Sequence, residues 1–206
     1  MYSIIRTLEY KNISETPFSG DVLDIGGSTK SGYHELMKGN RKITTVNINK
    51  EYGCDLVFDI QKPFPLKTGS FDVVSSFNVF EHIFGFHNAF SETSRVLKKG
   101  GKIVFAVPFL YQIHGSPDDY FRYTESALRE LLAINGFKVE KITPLGYSMF
   151  SLIFQICGGI IPTIFLKKII QSVCVFLDKV LLKISSKYRE LASRIPLGYF
   201  VIGIKN

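Results

Sequence analysis

The residues able to do chemistry in this chain stand where apolar runs stop. Asp24 precedes the turn Gly26-Gly27-Ser28. Asn47-Ile48 closes a second run, Asp59-Ile60 a third, and Asn78-Val79-Phe80-Glu81-His82 follows a fourth. A fifth ends in a polar and aromatic loop that carries Tyr111, His114, Tyr120, Arg122 and Tyr123. An apolar run halted by glycines is the pattern of a buried parallel strand turning into a helix. Glycine reaches backbone conformations closed to other residues, so a ligand can come close to the main chain there. The same pattern also fits an ordinary strand–helix turn that binds nothing.

Two phosphate motifs fail at this turn. A dinucleotide fingerprint would need glycines where Ser28 and Ser31 stand. Gly27 and Gly32 have the P-loop spacing, but Tyr33-His34 replace the lysine and the hydroxyl residue. A carboxylate at Asp24 would repel a pyrophosphate and attract an amine or a cation. S-adenosylmethionine has no phosphate and offers both a sulfonium and an amino acid end, so the turn favours that ligand. Asn47 can bind ribose hydroxyls, Ile48 can face a base, and Asp59 can accept from an adenine amine beside the main-chain N–H of Ile60. Each of these residues also fits a plain strand-end cap.

Elements must bring these positions together. Hydrophobic patterning predicts strands at 21–25, 42–48, 55–58, 71–77, 102–107, 137–142 and 199–204. It predicts helices at 1–12, 33–38, 91–97 and 125–135. The third should stop at Lys99-Gly100-Gly101, and the fourth lies between a Thr124 cap and Gly136. Strands alternating with helices imply a parallel sheet covered on both faces, with ligands gathered at the carboxyl ends of its strands.

From 21 to 141 the sequence resembles a class I S-adenosylmethionine-dependent methyltransferase of the small-molecule, methyltransferase-11-like type. Val22-Leu23-Asp24-Ile25-Gly26 resembles the family's first motif, and Thr45-Val46-Asn47-Ile48 the strand-two motif. Phe58-Asp59-Ile60 resembles the adenine motif, and Phe71-Asp72-Val73-Val74 with Asn78-Val79-Phe80-Glu81-His82 the strand-four motif. Leu97-Lys98-Lys99-Gly100-Gly101-Lys102 resembles the turn before strand five. The resemblance implies an α/β, Rossmann-like, seven-stranded, mostly parallel sheet of order 3-2-1-4-5-7-6 with its last strand antiparallel. It implies S-adenosylmethionine as cofactor, held by Asp24, Gly26, Gly27, Ser28, Asn47, Ile48, Asp59, Ile60, Asn78 and Phe80. Two positions depart from the pattern: Ser28 replaces the second glycine, and Asn47 replaces the acidic ribose ligand. A non-catalytic binding protein therefore stays open as an alternative to an enzyme.

A methyl donor needs a positioned acceptor, and a hydroxyl acceptor benefits from a base. His114 is the first candidate base, followed by His82 and Glu81. Tyr111, Tyr120, Arg122 and Tyr123 are candidate substrate contacts; Arg122 fits an anionic group or an ion pair with Asp118 or Asp119. His34 and His87 read as surface or helix residues. No HExxH motif or Cys/His cluster points to a metal.

The remaining expectations concern size and charge. The 206 residues suit one core, the start lacks a signal-peptide pattern, and Cys54, Cys157 and Cys174 read as reduced thiols of a cytoplasmic protein. From 167 onward eight basic residues face two acidic ones, so +6 of the net +7 lies there. The division expected is a binding domain over 1–144 and 196–206, with an inserted segment over 145–195. Residues 145–166 are uncharged and long enough to cross a bilayer. A single crossing would strand the final β-strand on the far side, so a spanning helix is rejected. Residues 164–195 carry an apolar stripe (Leu166, Ile170, Val173, Leu177, Leu181, Ile184, Tyr188, Leu191) beside a basic face, the pattern of an interfacial helix. The insertion is expected beside the active site, as a lid, a homodimer surface, an extra helical layer or a contact with the inner face of the membrane. The partners expected are a small-molecule or lipid-linked substrate and no nucleic acid.

Overall fold

The computed structural model describes residues 3–115 and 117–206. Seven strands form one sheet: β1 (Gly20–Ile25), β2 (Arg41–Asn47), β3 (Leu56–Val57), β4 (Phe71–Phe77), β5 (Leu97–Pro108), β6 (Phe137–Leu145) and β7 (Gly198–Lys205). Their order is β3-β2-β1-β4-β5-β7-β6. The strands β1 to β5 pair in parallel, and β7 runs antiparallel to both of its neighbours. This is the order expected from the sequence.

Side chains alternate across the sheet, so neighbouring residues serve opposite cores. Leu23, Val74 and Phe105 face one core with Phe80, Phe90, Leu128 and Leu132. Val22, Val73 and Val104 face the other with Ile4, Ile13, Met37, Phe154 and Phe200. The helices α2 (Phe86–Val96) and α3 (Glu125–Ile134) cover the first face. On the second lie α1 (Ile4–Glu15) and α4 (Met149–Cys157). Thr124 caps α3 by accepting from the Ala127 N–H. The expected helix over 1–12 begins at Ile4; Met1 and Tyr2 lie outside the described residues.

Three expectations need correction. The helix at 33–38 is a single 3-10 turn, Gly32–Leu36. The connection between β1 and β2 is short, and the Tyr33 and His34 side chains turn inward to bond Asp24 instead of lining a helix face. The helix expected to stop at Gly100 stops at Val96. Leu97 is already extended and pairs with Phe71 on β4, and Gly100, at φ +76°, turns the chain inside β5. The helix over 164–195 is two helices, α5 (Ile164–Ile184) and α6 (Ser186–Arg194). They break at Ser185, whose hydroxyl accepts from the Tyr188 N–H.

The segment 145–195 leaves and re-enters between hydrogen-bonded neighbours. Leu145 on β6 pairs with Gly198 on β7, and the Leu197 N–H donates to the Leu145 carbonyl at 2.7 Å. Its anchor is Asp178, the one fully buried residue of α5. That carboxylate accepts from the N–H groups of Ser148, Phe150 and Ser151 at 3.1, 3.1 and 2.8 Å, and from the Tyr188 hydroxyl at 2.5 Å. It therefore satisfies the first N–H groups of α4 from a distant helix, where a negative charge also suits the helix dipole.

Replacing Asp178 with Ala orphans three amides at once and should cost about 2–4 kcal/mol. Hydrogen exchange should show Ser148, Phe150 and Ser151 losing protection while β1 and β4 amides keep theirs. Unchanged protection in α4 would refute this anchoring role.

Candidate active site

The carboxyl ends of β1, β2 and β4 surround a cavity of about 310 Å3. Its walls include Gly26, Asn47, Ile48, Tyr52, Asp59, Ile60, Asn78, Val79, His82 and Tyr120. Six of the ten expected cofactor residues line it: Gly26, Asn47, Ile48, Asp59, Ile60 and Asn78. The other four, Asp24, Gly27, Ser28 and Phe80, do not.

Asp24 is fully buried beneath the glycine turn. Its Oδ2 accepts from the Tyr33 hydroxyl and bonds His34 Nε2, both at 2.7 Å; its Oδ1 accepts from the Ser75 hydroxyl at 2.7 Å. Proximity to this carboxylate and burial push the Tyr33 phenol far above its usual range, burial being the larger cause. A Cβ on Gly27 would lie 2.0 Å from Asp24 Oδ2, so this glycine makes room for the protein's own carboxylate. Gly26, at φ +77°, would strike Val79 with any side chain. The Ser28 hydroxyl turns towards the Gly53 carbonyl at 3.3 Å. His34, read as a surface residue, belongs to this buried group.

Asn47 straps the same turn. Its amide donates to the carbonyls of Gly26 and Gly27 at 3.1 and 3.3 Å, and its Oδ1 accepts from the Ile48 N–H at 2.9 Å. A carboxylate could not donate to those carbonyls, so the departure to Asn has a structural use. Asp59 accepts from the Gln61 N–H through Oδ1, while Oδ2 has only Lys62 at 3.8 Å. Ile48 and Tyr52 are 61% and 55% exposed on the cavity wall, apolar surface of the kind a base covers. Phe80, by contrast, is core: its ring packs on Phe90 and Phe105.

Beside the cavity, Glu81, His82 and His114 converge. Glu81 is fully buried, and neither carboxylate oxygen has a hydrogen-bond partner among the described residues. Burial pushes its carboxyl up to about 8, although Arg122 pulls the other way. His82 Nε2 lies 3.6 Å and His114 Nε2 3.9 Å from Glu81 Oε1. Arg122 forms a two-pronged ion pair with Asp119, one of the two roles expected of it, and donates to the Gln112 carbonyl. The Tyr123 hydroxyl is buried and donates to the Phe80 carbonyl at 3.1 Å. Tyr120 lines the cavity with its hydroxyl on Asp118. Tyr111 stacks edge-on to His114 at 5.1 Å.

Sequence reasoning missed Glu9. This α1 residue is fully buried and accepts from the Asn78 amide at 2.7 Å, holding a strand-four residue that sits at φ +55°. Asp72 and Asp55 look more conspicuous, and nothing local in the α1 sequence distinguishes Glu9.

A sheet of this order, with its cavity at the ends of β1, β2 and β4, is the class I methyltransferase architecture. Residues 23–105 match the family described as Methyltransferase domain. A geranyl diphosphate methyltransferase solved with S-adenosylmethionine is similar in structure at 14% identity. The match covers 97% of this chain and 85% of the other, with a TM-score of 0.62. The geranyl diphosphate C-methyltransferase of Streptomyces coelicolor A3(2), solved with Mg2+, geranyl diphosphate and S-adenosylhomocysteine, matches at 14% identity; 98% and 79% of the two chains are covered, with a TM-score of 0.61. The [4+2]-cyclase SpnF matches at 13% identity over 98% and 81%, with a TM-score of 0.61. No curated protein matches the chain. The resemblance to class I S-adenosylmethionine-dependent methyltransferases thus rests both on residues 23–105 and on the fold, and S-adenosylmethionine is the cofactor of that family.

Burial raises the Glu9 carboxyl above its ordinary value, so the folded chain holds that proton more tightly than the unfolded one. Stability from this site is then present at low pH and lost as pH rises past the ordinary Glu range. Glu9→Gln keeps an acceptor for Asn78. It should raise the melting temperature at pH 7, with the gain vanishing near pH 4. A gain that persists unchanged at acid pH would refute the assignment.

Proposed function

We propose that this chain transfers the methyl group of S-adenosylmethionine to a hydroxyl of a small-molecule, glycan or lipid-linked intermediate of the cell envelope. The observation that carries this reading is the juxtaposition of the cavity with the Glu81–His82–His114 cluster at the same strand ends. The residues present fit the cofactor. Asp59 Oδ2, whose ion-pair partner Lys62 stands off at 3.8 Å, can accept from an amine, Ile48 and Tyr52 leave apolar faces bare, and Asn47 stands at a ribose position. Asp24 serves by fixing the turn, not by direct contact. When bound, the cofactor supplies an electrophilic methyl group.

The chain's own part is to orient an acceptor and take its proton. The His114 ring nitrogen Nδ1 bonds the Gln112 carbonyl at 3.1 Å, which leaves Nε2 as the acceptor nitrogen aimed at the cluster. His114 is therefore the base by this reading. Arg122 and Asp119 hold the loop, and the Asp119 carboxylate accepts from the His114 main-chain N–H at 2.8 Å.

The insertion supports a greasy or membrane-borne acceptor. A second cavity of about 470 Å3 opens between the loop and the insertion, lined by Tyr111, Gln112, Phe154, Ile164 and Lys167 among others. Gln112 donates to the Ile156 carbonyl at 2.8 Å and ties the two together. On α5, Phe165, Ile169, Val173, Phe176, Val180 and Ile184 are exposed along one side. Lys168, Lys179 and Lys183 flank them, also exposed. No described helix is long and apolar enough to cross a membrane. An apolar strip edged with lysines suits the surface of an anionic bilayer. A non-catalytic S-adenosylmethionine-binding scaffold is the competing reading, favoured by the Ser28 and Asn47 departures.

Calorimetry should show S-adenosylhomocysteine binding to the folded chain, and Asp59→Ala should weaken it about tenfold. Absence of binding would overturn the reading. Release of S-adenosylhomocysteine in the presence of envelope lipid or glycan extracts would dismiss the scaffold. Flotation with anionic vesicles at low salt should carry the protein. Joining β6 to β7 by a short turn in place of 147–195, or changing Phe165 and Phe176 to Ser, should leave it behind. Wild-type protein that ignores such vesicles would end the membrane reading.

A further inference from the structure

We infer that Glu81, His82 and His114 form a mononuclear site for a divalent transition-metal ion, with the acceptor's oxygen as a further ligand. The ligand atoms of these three residues all lie within 4.8 Å of one another. The argument begins with the tautomers. His82 Nδ1 lies 2.6 Å from the Asp118 carbonyl, and His114 Nδ1 lies 3.1 Å from the Gln112 carbonyl. A main-chain carbonyl only accepts, so each Nδ1 carries the hydrogen and each neutral ring presents a bare lone pair at Nε2. Both lone pairs face the same carboxylate oxygen, at 3.6 and 3.9 Å. Those distances are too long for a hydrogen bond, and that oxygen and its twin are buried with no hydrogen-bond partner among the described residues. Three electron-rich atoms thus surround a point that no described donor fills.

A cation answers that arrangement. Ligands about 2.0–2.1 Å from a tetrahedral ion lie about 3.3 Å apart, and the two sides of the triangle that meet at Glu81 Oε1, at 3.6 and 3.9 Å, are within a few tenths of an ångström of that spacing. Holding Nδ1–H on a carbonyl while Nε2 points inward is how metal-binding histidines are oriented. Asp119 Oδ2, 3.4 Å from His114 Nδ1, adds a second outer partner. Two imidazoles and one carboxylate select zinc or a neighbouring first-row ion over Mg2+ or Ca2+. The ion would also relieve the cost of burying Glu81. His82 lines the cofactor cavity, so an ion here would adjoin the transferred methyl group. There it would lower the pKa of a coordinated hydroxyl, taking over the proton-removing task from His114. The metal site itself stands without the methyl-transfer reading; its role towards the acceptor rests on that reading. The sequence hid it because only the fold brings His114 to the Glu81-His82 pair.

The test uses chelator-treated full-length protein titrated with Zn2+ by calorimetry and with Co2+ by visible absorption. One ion per chain is expected, with the intense bands of low-coordinate cobalt. Glu81→Gln, His82→Gln and His114→Gln should each weaken binding by at least ~100-fold. Native circular dichroism and a cooperative melting transition in the metal-free variants would show that they fold. Absence of binding to folded wild-type protein, or binding undiminished in the three variants, overturns the site. An ion bound without any S-adenosylhomocysteine release upholds the site and counts against methyl transfer. Turnover that survives complete metal removal overturns the ion's role towards the acceptor.

Discussion

A carboxylate buried at the end of β1 fixes the geometry of the candidate site. Asp24 has no exposure, so its charge is tolerable only with donors in place. Three side chains supply them: Tyr33 and His34 from the turn after β1, and Ser75 from β4. The bonds pull the connection between β1 and β2 down onto the sheet, which is why it makes a 3-10 turn and no longer helix. They also require Gly27, because a Cβ there would overlap the carboxylate. Asn47 then pins the far side of the turn from β2. The floor of the cavity is thereby built from side chains bonded to one another, and the residues left to meet a ligand lie on its rim.

That division explains what was legible in the sequence. Strand positions and the order of the sheet could be read because apolar runs and their glycine stops are local signals. The cavity residues Asn47, Ile48, Asp59 and Ile60 could be read because strand ends converge in this architecture. The direction of a side chain at a strand end could not. Asp24 and Phe80 occupy motif positions yet point into the protein, Arg122 spends its polar atoms on the loop itself, and the Tyr123 hydroxyl is used on the Phe80 carbonyl. His34 looked like a surface residue because nothing in Gly32-Tyr33-His34 announces a partner ten positions earlier. Glu9 was invisible for the same reason, its partner Asn78 being distant in sequence. On α5 the expected stripe mixes two sides: Ile170 and Leu181 are half-buried, whereas Val173, Leu177 and Ile184 are exposed. A helix that is apolar around most of its girth gives no single stripe from which to choose.

The insertion is attached by a principle independent of the sheet. Its two ends meet at Leu145 and Leu197, so the strands β6 and β7 would remain neighbours if a short turn joined them. What holds the excursion down is Asp178 bonding the start of α4, together with Phe154 packed in the second core. Because β6 runs parallel to β5, the excursion starts at the same sheet edge as the cavity. Gln112 then couples it to the loop that carries His114. Exposed apolar side chains on α5 and the loop histidine thus belong to one connected structure.

The loop itself shows why Glu81 is left without partners. The N–H groups of Tyr120 and Phe121 donate to the Glu81 main-chain carbonyl at 2.8 and 3.2 Å, and Arg122 is committed to Asp119. The strongest donor nearby is therefore withheld from the Glu81 carboxylate by a better-placed acid. Asp119, held by Arg122, lies far below the usual carboxylate range and keeps that partner at any ordinary pH. A buried carboxyl left in this condition costs stability, which the charge on Arg122 offsets only in part. Departures of this kind concentrate at functional or strained sites. The same residues that close the loop over the strand ends therefore leave the buried Glu81 carboxyl beside the cavity wall at His82.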